Sequence, residues 1–295
     1  MSSLTFAMIT PSFAGDYEQF ALLAHTVERH IPETVTHYVL VPRDDYAKFR
    51  RFQSKRTRVL IEDEFLPAWA QGLLTVNRYR ITTRTLPIRG WILQQMLKLS
   101  APAFAPEDVY LYVDSDVAFL REFRPTEEFV RDGKVRLFCE RCDGSWPLPI
   151  VQEGQRWRQI SCNLLGVQEE AEPQARYIGN IIAWRRDVLM SLQTHLSRGI
   201  GRSWQERIAR CSTFSEYTLY GVYVENVLGY ESAGHYQDSK IYTLDSWQPE
   251  EQSVDDLIRL RNTELAPHHV GIMISAKGYT PAERIEQVFD LRAFL

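Results

Sequence analysis

The chain predicts an α/β fold, a mixed sheet flanked by helices and gathered into a single domain over residues 1–295. Three observations carry that expectation. Short apolar runs alternate with longer amphipathic ones through the first third, as parallel strands and their crossover helices do. The run Tyr110-Leu111-Tyr112-Val113 leads straight into two carboxylates, Asp114 and Asp116, with a second apolar run from Val117 to Leu120 directly behind them. A chain of 295 residues with 44% hydrophobic and 24% charged side chains can bury a sizeable core and has no disordered composition.

Leu4 to Thr10 reads as the first buried strand, closed by Pro11-Ser12-Phe13-Ala14-Gly15, and Asp16 is placed to cap a helix running to about Ile31. Val35 to Val41 is a second strand, Asp44 to about Phe52 a short helix, and Arg58 to Ile61 a third strand. No GxGxxG follows the first strand and no GxxxxGK[ST] occurs, so a nucleotide would be held without either loop. The seven Lys and Arg residues between Arg43 and Arg58 are mixed with acids and aromatics, as on a solvated helix face. From Glu62 to Pro87 the periodicity lapses. A long loop is expected there, its Arg78, Arg80 and Arg84 either facing phosphate or simply exposed.

Arg89 to Leu99 is an amphipathic helix with Trp91, Gln94, Gln95 and Lys98 along one side, turned to a ligand, to the neighbouring strand end or to solvent. A helix from about Thr126 to Arg131 and a strand from Val135 to Cys139 follow the aspartates, then a Pro- and Gly-containing loop from Arg141 to Trp157. Its Trp146 and Trp157 suit stacking on a sugar or base, or anchoring of the loop itself. Tyr177 to Trp184 is a strand opened by Gly179-Asn180, where a ligand could approach the backbone, and a helix runs from Asp187 to about His195. Thr213 to Tyr223 is a capped helix with Glu216 in its first turn, and Pro267-His268-His269 precedes an apolar strand.

The formal charge of −4, from 34 basic and 38 acidic residues, excludes a protein built mainly to bind the nucleic-acid backbone. The amino terminus lacks a signal pattern, and no run approaches the ~18 apolar residues of a membrane span. A cytoplasmic protein is expected, with at most peripheral membrane contact. Cys139-x-x-Cys142 lacks the second pair of a zinc site and reads as incidental thiols.

Bare charge at the end of a buried strand needs a partner. Nothing basic lies within four residues before Asp114 or three after Asp116, so the expected partner is a divalent cation. An imidazole from His268 or His269 would complete its sphere; neighbours on a strand face opposite ways, so one of the two serves.

An apolar strand ending in Asp-x-Asp, a nucleotide-binding βαβ opening and a late histidine strand about 150 residues on resemble the GT-A class of nucleotide-sugar-dependent glycosyltransferases. More narrowly, Arg89-Gly90-Trp91-x-x-Gln94-Gln95-x-x-Lys98, Asp114-Ser115-Asp116, Gly179-Asn180 and Ser215-Glu216-Tyr217-x-x-Tyr220-Gly221 resemble a bacterial family of such enzymes with a DxD motif. His268-His269-Val270-Gly271 is similar in spacing to the late His-x-x-Gly of family 8 retaining enzymes, although Lys277 lies further on than in that pattern.

The resemblance implies a GT-A-like, Rossmann-type sheet, with residues 1–120 as the nucleotide-binding half and 121–295 as the acceptor half. It implies Mn²⁺ or Mg²⁺ held by Asp114, Asp116 and His268 or His269 against the diphosphate of a UDP- or GDP-sugar. Thr10, Arg89, Gln95, Lys98 and Lys277 are then the expected donor contacts. Asp116 and Glu216 are the expected catalytic groups, Glu216 as the base for an acceptor hydroxyl or as a donor-positioning acid, in an inverting or a retaining reaction of bacterial glycan or polysaccharide synthesis. Two other classes stand beside this one. A haloacid-dehalogenase-like phosphatase would use Asp114 as nucleophile and need a later acid pair, for which Asp255-Asp256 in a helical pattern is the available candidate. A non-catalytic nucleotide-sugar binder would keep the fold alone.

Overall fold

The computed structural model describes residues 4–71, 74–76, 79–142, 144–168, 175–199 and 201–291. The chain opens with β1 (Phe6–Pro11), α1 (Tyr17–His30), β2 (Thr36–Val41) and β3 (Thr57–Ile61). An arm of 3₁₀ turns and three short antiparallel strands follows, and α2 (Gly90–Leu99) then leads into β4 (Val109–Val113) and β5 (Val117–Phe119). Beyond these come β6 (Lys134–Phe138), α3 (Leu148–Leu165), β7 (Ile181–Arg185), α4 (Arg186–Ser197) and α5 (Glu216–Tyr223). The chain ends with β8 (His235–Asp238), β9 (Thr243–Ser246), α6 (Val254–Glu264), β10 (Gly271–Ile274) and a last short helix.

Five strands form the central sheet in the order β7-β4-β1-β2-β3, parallel except for β7. From β1 the chain builds outward to β2 and β3, then returns to lay β4 on the other side of β1. The sheet order therefore reverses between β1 and β4, and open α/β sheets present their ligand crevice at the carboxyl ends beside such a reversal. Strand periodicity sorts the core into two layers. Ala7, Ile9, Tyr110 and Tyr112 pack with Ile92, Met96, Leu219 and Tyr220 from α2 and α5, while Phe6, Met8, Leu111 and Val113 pack with Phe20, Leu23 and Val27 of α1.

The two halves of the sequence share sheets. β7 completes the central sheet by pairing antiparallel with β4, and β5 joins the small sheet β9-β10-β5, antiparallel to β10. The amide of Ile274 at the end of β10 donates to the Asp116 carbonyl at 3.2 Å, fastening that sheet to the aspartate step.

Two expected loops carry regular structure. Leu148–Leu165 is an 18-residue helix, not a loop. Pro149 sits in its first turn, where a missing N–H breaks no helical bond, and Gly166 closes it at φ 69°, so both residues mark the ends of the helix and not its absence. Within Glu62–Pro87, Arg80 is buried and paired with Glu62 at 2.6 Å and with Asp63, which makes it an internal tie and not a phosphate contact. Arg78 lies outside the described residues. Among the described residues no helix is long and apolar enough to cross a membrane.

Candidate active site

The alternation along β4 places Asp114 on the same face as Tyr110 and Tyr112, toward α2 and α5. On α2, Gln95 and Lys98 stand one turn apart and both are turned inward, 1% and 3% exposed. Lys98 Nζ lies 3.0 Å from Asp114 Oδ1 and 3.2 Å from Glu216 Oε1, and it donates to the Tyr217 hydroxyl at 2.9 Å. Burial works against its charge, but Asp114, Tyr217 and Glu216 outweigh that and hold the ammonium well above the ordinary lysine range. One cation is thus shared by two carboxylates.

Glu216 stands in this arrangement because α5 begins there. Ser215 Oγ accepts from the Thr218 amide, and Gln95 Oε1 accepts from the Glu216 amide at 2.8 Å, so two of the helix's otherwise orphaned N–H groups are satisfied. The aromatic bed beneath is dense. Tyr112 donates its hydroxyl to the Lys98 carbonyl at 2.8 Å, and its ring lies 4.5 Å from Trp184, which stacks on Tyr220 at 4.4 Å. Burial pushes the Glu216 carboxyl up, with Lys98 opposing.

Asp116 is held by a different element. Its Oδ2 accepts the Ala276 amide at 3.2 Å, and burial, followed by the charge of Asp114, pushes its carboxyl up to about 7. The Ala276–Gly278 turn carries Lys277, exposed, beside this aspartate. Between the two aspartates Ser115 donates to Asp16 Oδ2 at 3.2 Å, joining the carboxyl ends of β4 and β1 where the sheet order reverses. Asp16 makes no cap bond to α1.

The sequence profile of a family of unknown function, DUF6492, matches residues 4–256. The chain belongs to that family. No curated protein matches it. Among solved structures, the apo structure of the WbbM bifunctional glycosyltransferase is similar at a TM-score of 0.49 and 9% sequence identity, over 98% of this chain and 50% of that one. The DUF6492 chain therefore spans half the length of that protein.

Asp114, Gln95, Lys98 and Glu216 converge in the DUF6492 chain, with Asp116 and Lys277 alongside. Other expected site residues stand elsewhere. Thr10 is fully buried with its hydroxyl 3.0 Å from His37 Nε2, so it is turned into the core and away from the crevice. Arg89 is exposed at the start of α2, about 13 Å along the helix axis from Lys98 at 1.5 Å per residue. His268 and His269 precede β10, and the register of β10 against β5 brings the far end of that strand, Ile274, to Asp116. The strand's three residue steps, about 10 Å, lie between the turn that carries the imidazoles and the end bound to Asp116. His269 Nδ1 instead accepts the Ala266 amide at 3.1 Å within its own turn. A cation sphere closed by a late histidine is corrected accordingly, and among the described residues no three His, Cys, Asp or Glu side chains are grouped to hold a metal.

The expected isolation of Asp114 is corrected as well. Its partner is Lys98, distant by 16 positions in sequence and therefore invisible to a search of the immediate neighbours. Gly179 lets the chain's own Ile182 and Phe138 approach, since a Cβ there would stand 3.2 Å from Ile182 Cδ1. Asp256 closes a capping box with Ser253 at the start of α6, so the Asp255-Asp256 pair serves a helix start, set apart from the carboxyl end of β9 by the 247–252 segment. Cys139 and Cys142 are unlinked. Sequence reading passed over Asp16 and the Ala276 amide, which only the folded chain brings to the aspartates.

Proposed function

We propose that this DUF6492 chain is a GT-A-type enzyme that moves a sugar from a nucleotide-sugar donor to an acceptor hydroxyl in bacterial glycan synthesis. The observation that carries the reading is the position of Asp114 and Asp116, two carboxylates at the carboxyl end of β4 beside the reversal of the sheet order. The donor's diphosphate would lie across that crevice.

The residues present fit a hard divalent cation, Mn²⁺ or Mg²⁺. Asp114 gives Oδ1 to Lys98 while its side chain stays 39% exposed, and Asp116 accepts the Ala276 amide and its own, so the four lone-pair sites of each carboxylate are only partly used. Two carboxylates together with substrate phosphates and water are the usual holders of such an ion. Bound there, it would supply Lewis-acid stabilisation of the departing nucleoside diphosphate. The chain's own residues do the rest. Lys98 fixes the Asp114 carboxylate, Glu216 and Tyr217 fix Lys98, Gln95 holds the Glu216 amide, and Lys277 on the neighbouring turn offers a second cation to the diphosphate. Glu216 is enclosed and bound on Oε1, which favours positioning over proton abstraction among its two expected roles.

The test is thermal unfolding with UDP, GDP and their sugars, with and without Mn²⁺. A nucleotide at about 100 times its dissociation constant should add about 2.7 kcal/mol of apparent stability, in a Mn²⁺-dependent way. Asp116→Ala should abolish the effect; equal stabilisation of that variant would overturn the reading.

A further inference from the structure

We infer that the cleft beside the aspartate step, with Asn180 and Asp245 in its wall and Trp247 at its rim, seats a saccharide that serves as acceptor; this rests on the sugar-transfer reading above. The cleft holds about 160 Å³ and lies between β7 and β9. Its place follows from register. Ile181 pairs with Val113, so Asn180 stands beside Asp114; Ser246 pairs with Ile274, whose amide is bound to the Asp116 carbonyl. The cavity is therefore walled by strands that neighbour those carrying the aspartate step.

Its chemistry suits a sugar. Trp247 is 58% exposed one residue past β9, and Ile241 one residue before Tyr242 is 42% exposed, a costly display of apolar surface at the mouth of a polar cavity. An indole face with a polar wall beside it accepts the C–H face of a sugar ring while the hydroxyls find partners. Asp245 supplies such a partner. Its Oδ1 is shut off from solvent, and the Thr243 and Asn180 side chains are its polar neighbours in that wall. The Asn180 amide donates to Thr243 Oγ1 at 3.3 Å, so Asn180, Thr243 and Asp245 form one polar patch that sugar hydroxyls can join.

Saturation-transfer NMR on the whole chain, without nucleotide, against glucose, galactose, N-acetylglucosamine, glucuronic acid and their β-linked disaccharides tests the assignment. At least one sugar should show transfer to its ring protons, and Trp247→Ala and Asp245→Asn should each weaken binding by roughly fivefold or more, the loss of a stacking or hydrogen-bonding contact. The same variants should keep the Mn²⁺-dependent stabilisation by nucleotide and the melting temperature of the parent. No transfer to any of these sugars, or transfer that survives both substitutions, overturns the inference. Sugar binding without any nucleotide effect would instead overturn the donor reading and leave the cleft assigned.

Discussion

Lys98 balances two carboxylates of unequal exposure, and that inequality decides what its loss would do. Asp114 can turn to water, whereas Glu216 is 4% exposed and has no such escape. Lys98→Met should therefore cost about 3–5 kcal/mol in urea unfolding, the range for stranding a buried charge. Adding Glu216→Gln removes the stranded charge and should return part of that, with a coupling of about 1–3 kcal/mol between the two sites. Additive losses would mean that the pair is not a unit. Asp116 makes a prediction of opposite character. Its carboxyl is raised from 3.8 to about 7 in the folded chain, so the folded state holds a proton that the unfolded state releases across that interval. Stability then falls as pH rises through the window from about 4 to about 7. Asp116→Asn cannot ionise and should lose this dependence: its melting temperature relative to the parent should rise from pH 5 to pH 8, while its response to nucleotide and Mn²⁺ disappears.

Helix α5 brings Glu216 and Tyr217 to the site because its other end is seated with no spare room. A Cβ on Gly221 would stand 2.2 Å from the Tyr177 ring, itself buried and bonded through its hydroxyl to Glu225. Gly221→Ala should destabilise by about 1–3 kcal/mol through overpacking, read as a lower urea midpoint with an unchanged slope. The elements themselves differ in how far sequence exposes them. β1 to β4 are legible to within two residues because each is a short run rich in apolar and β-branched residues, with β2 closed by Pro42 and β4 by Asp114, and Gln95, Lys98 and Glu216 attract notice as polar groups in apolar helices. α3 is hidden because Pro147 and Pro149 read as breakers, and only their places at the N-cap and in the first helical turn show otherwise. The histidines mislead for a reason no local pattern records. Had β10 run parallel to β5, its amino-terminal end would have met Asp116; it runs antiparallel, so its carboxyl end does.

At the scale of the whole molecule, that strand direction separates two ends of one small sheet, and ligand binding should distinguish them. The crevice is bounded by the carboxyl ends of β1 and β4, joined through Ser115 and Asp16, and by the Ala276–Gly278 turn. A diphosphate settled there, with its cation, should slow amide exchange over 12–16, 114–116 and 275–278, since each segment would have to open for the ligand to leave. The turn at 266–269 lies beyond β10 and should exchange at the same rate with or without UDP and Mn²⁺. Mass-spectrometric exchange of the parent chain reads all four segments in one experiment. The doubly substituted His268→Ala/His269→Ala chain should keep the same nucleotide and Mn²⁺ response, because neither imidazole reaches the aspartates. Protection that appears at 266–269 and not at 12–16 would move the ligand to the opposite end of the sheet and remove the sheet reversal as the organiser of the site.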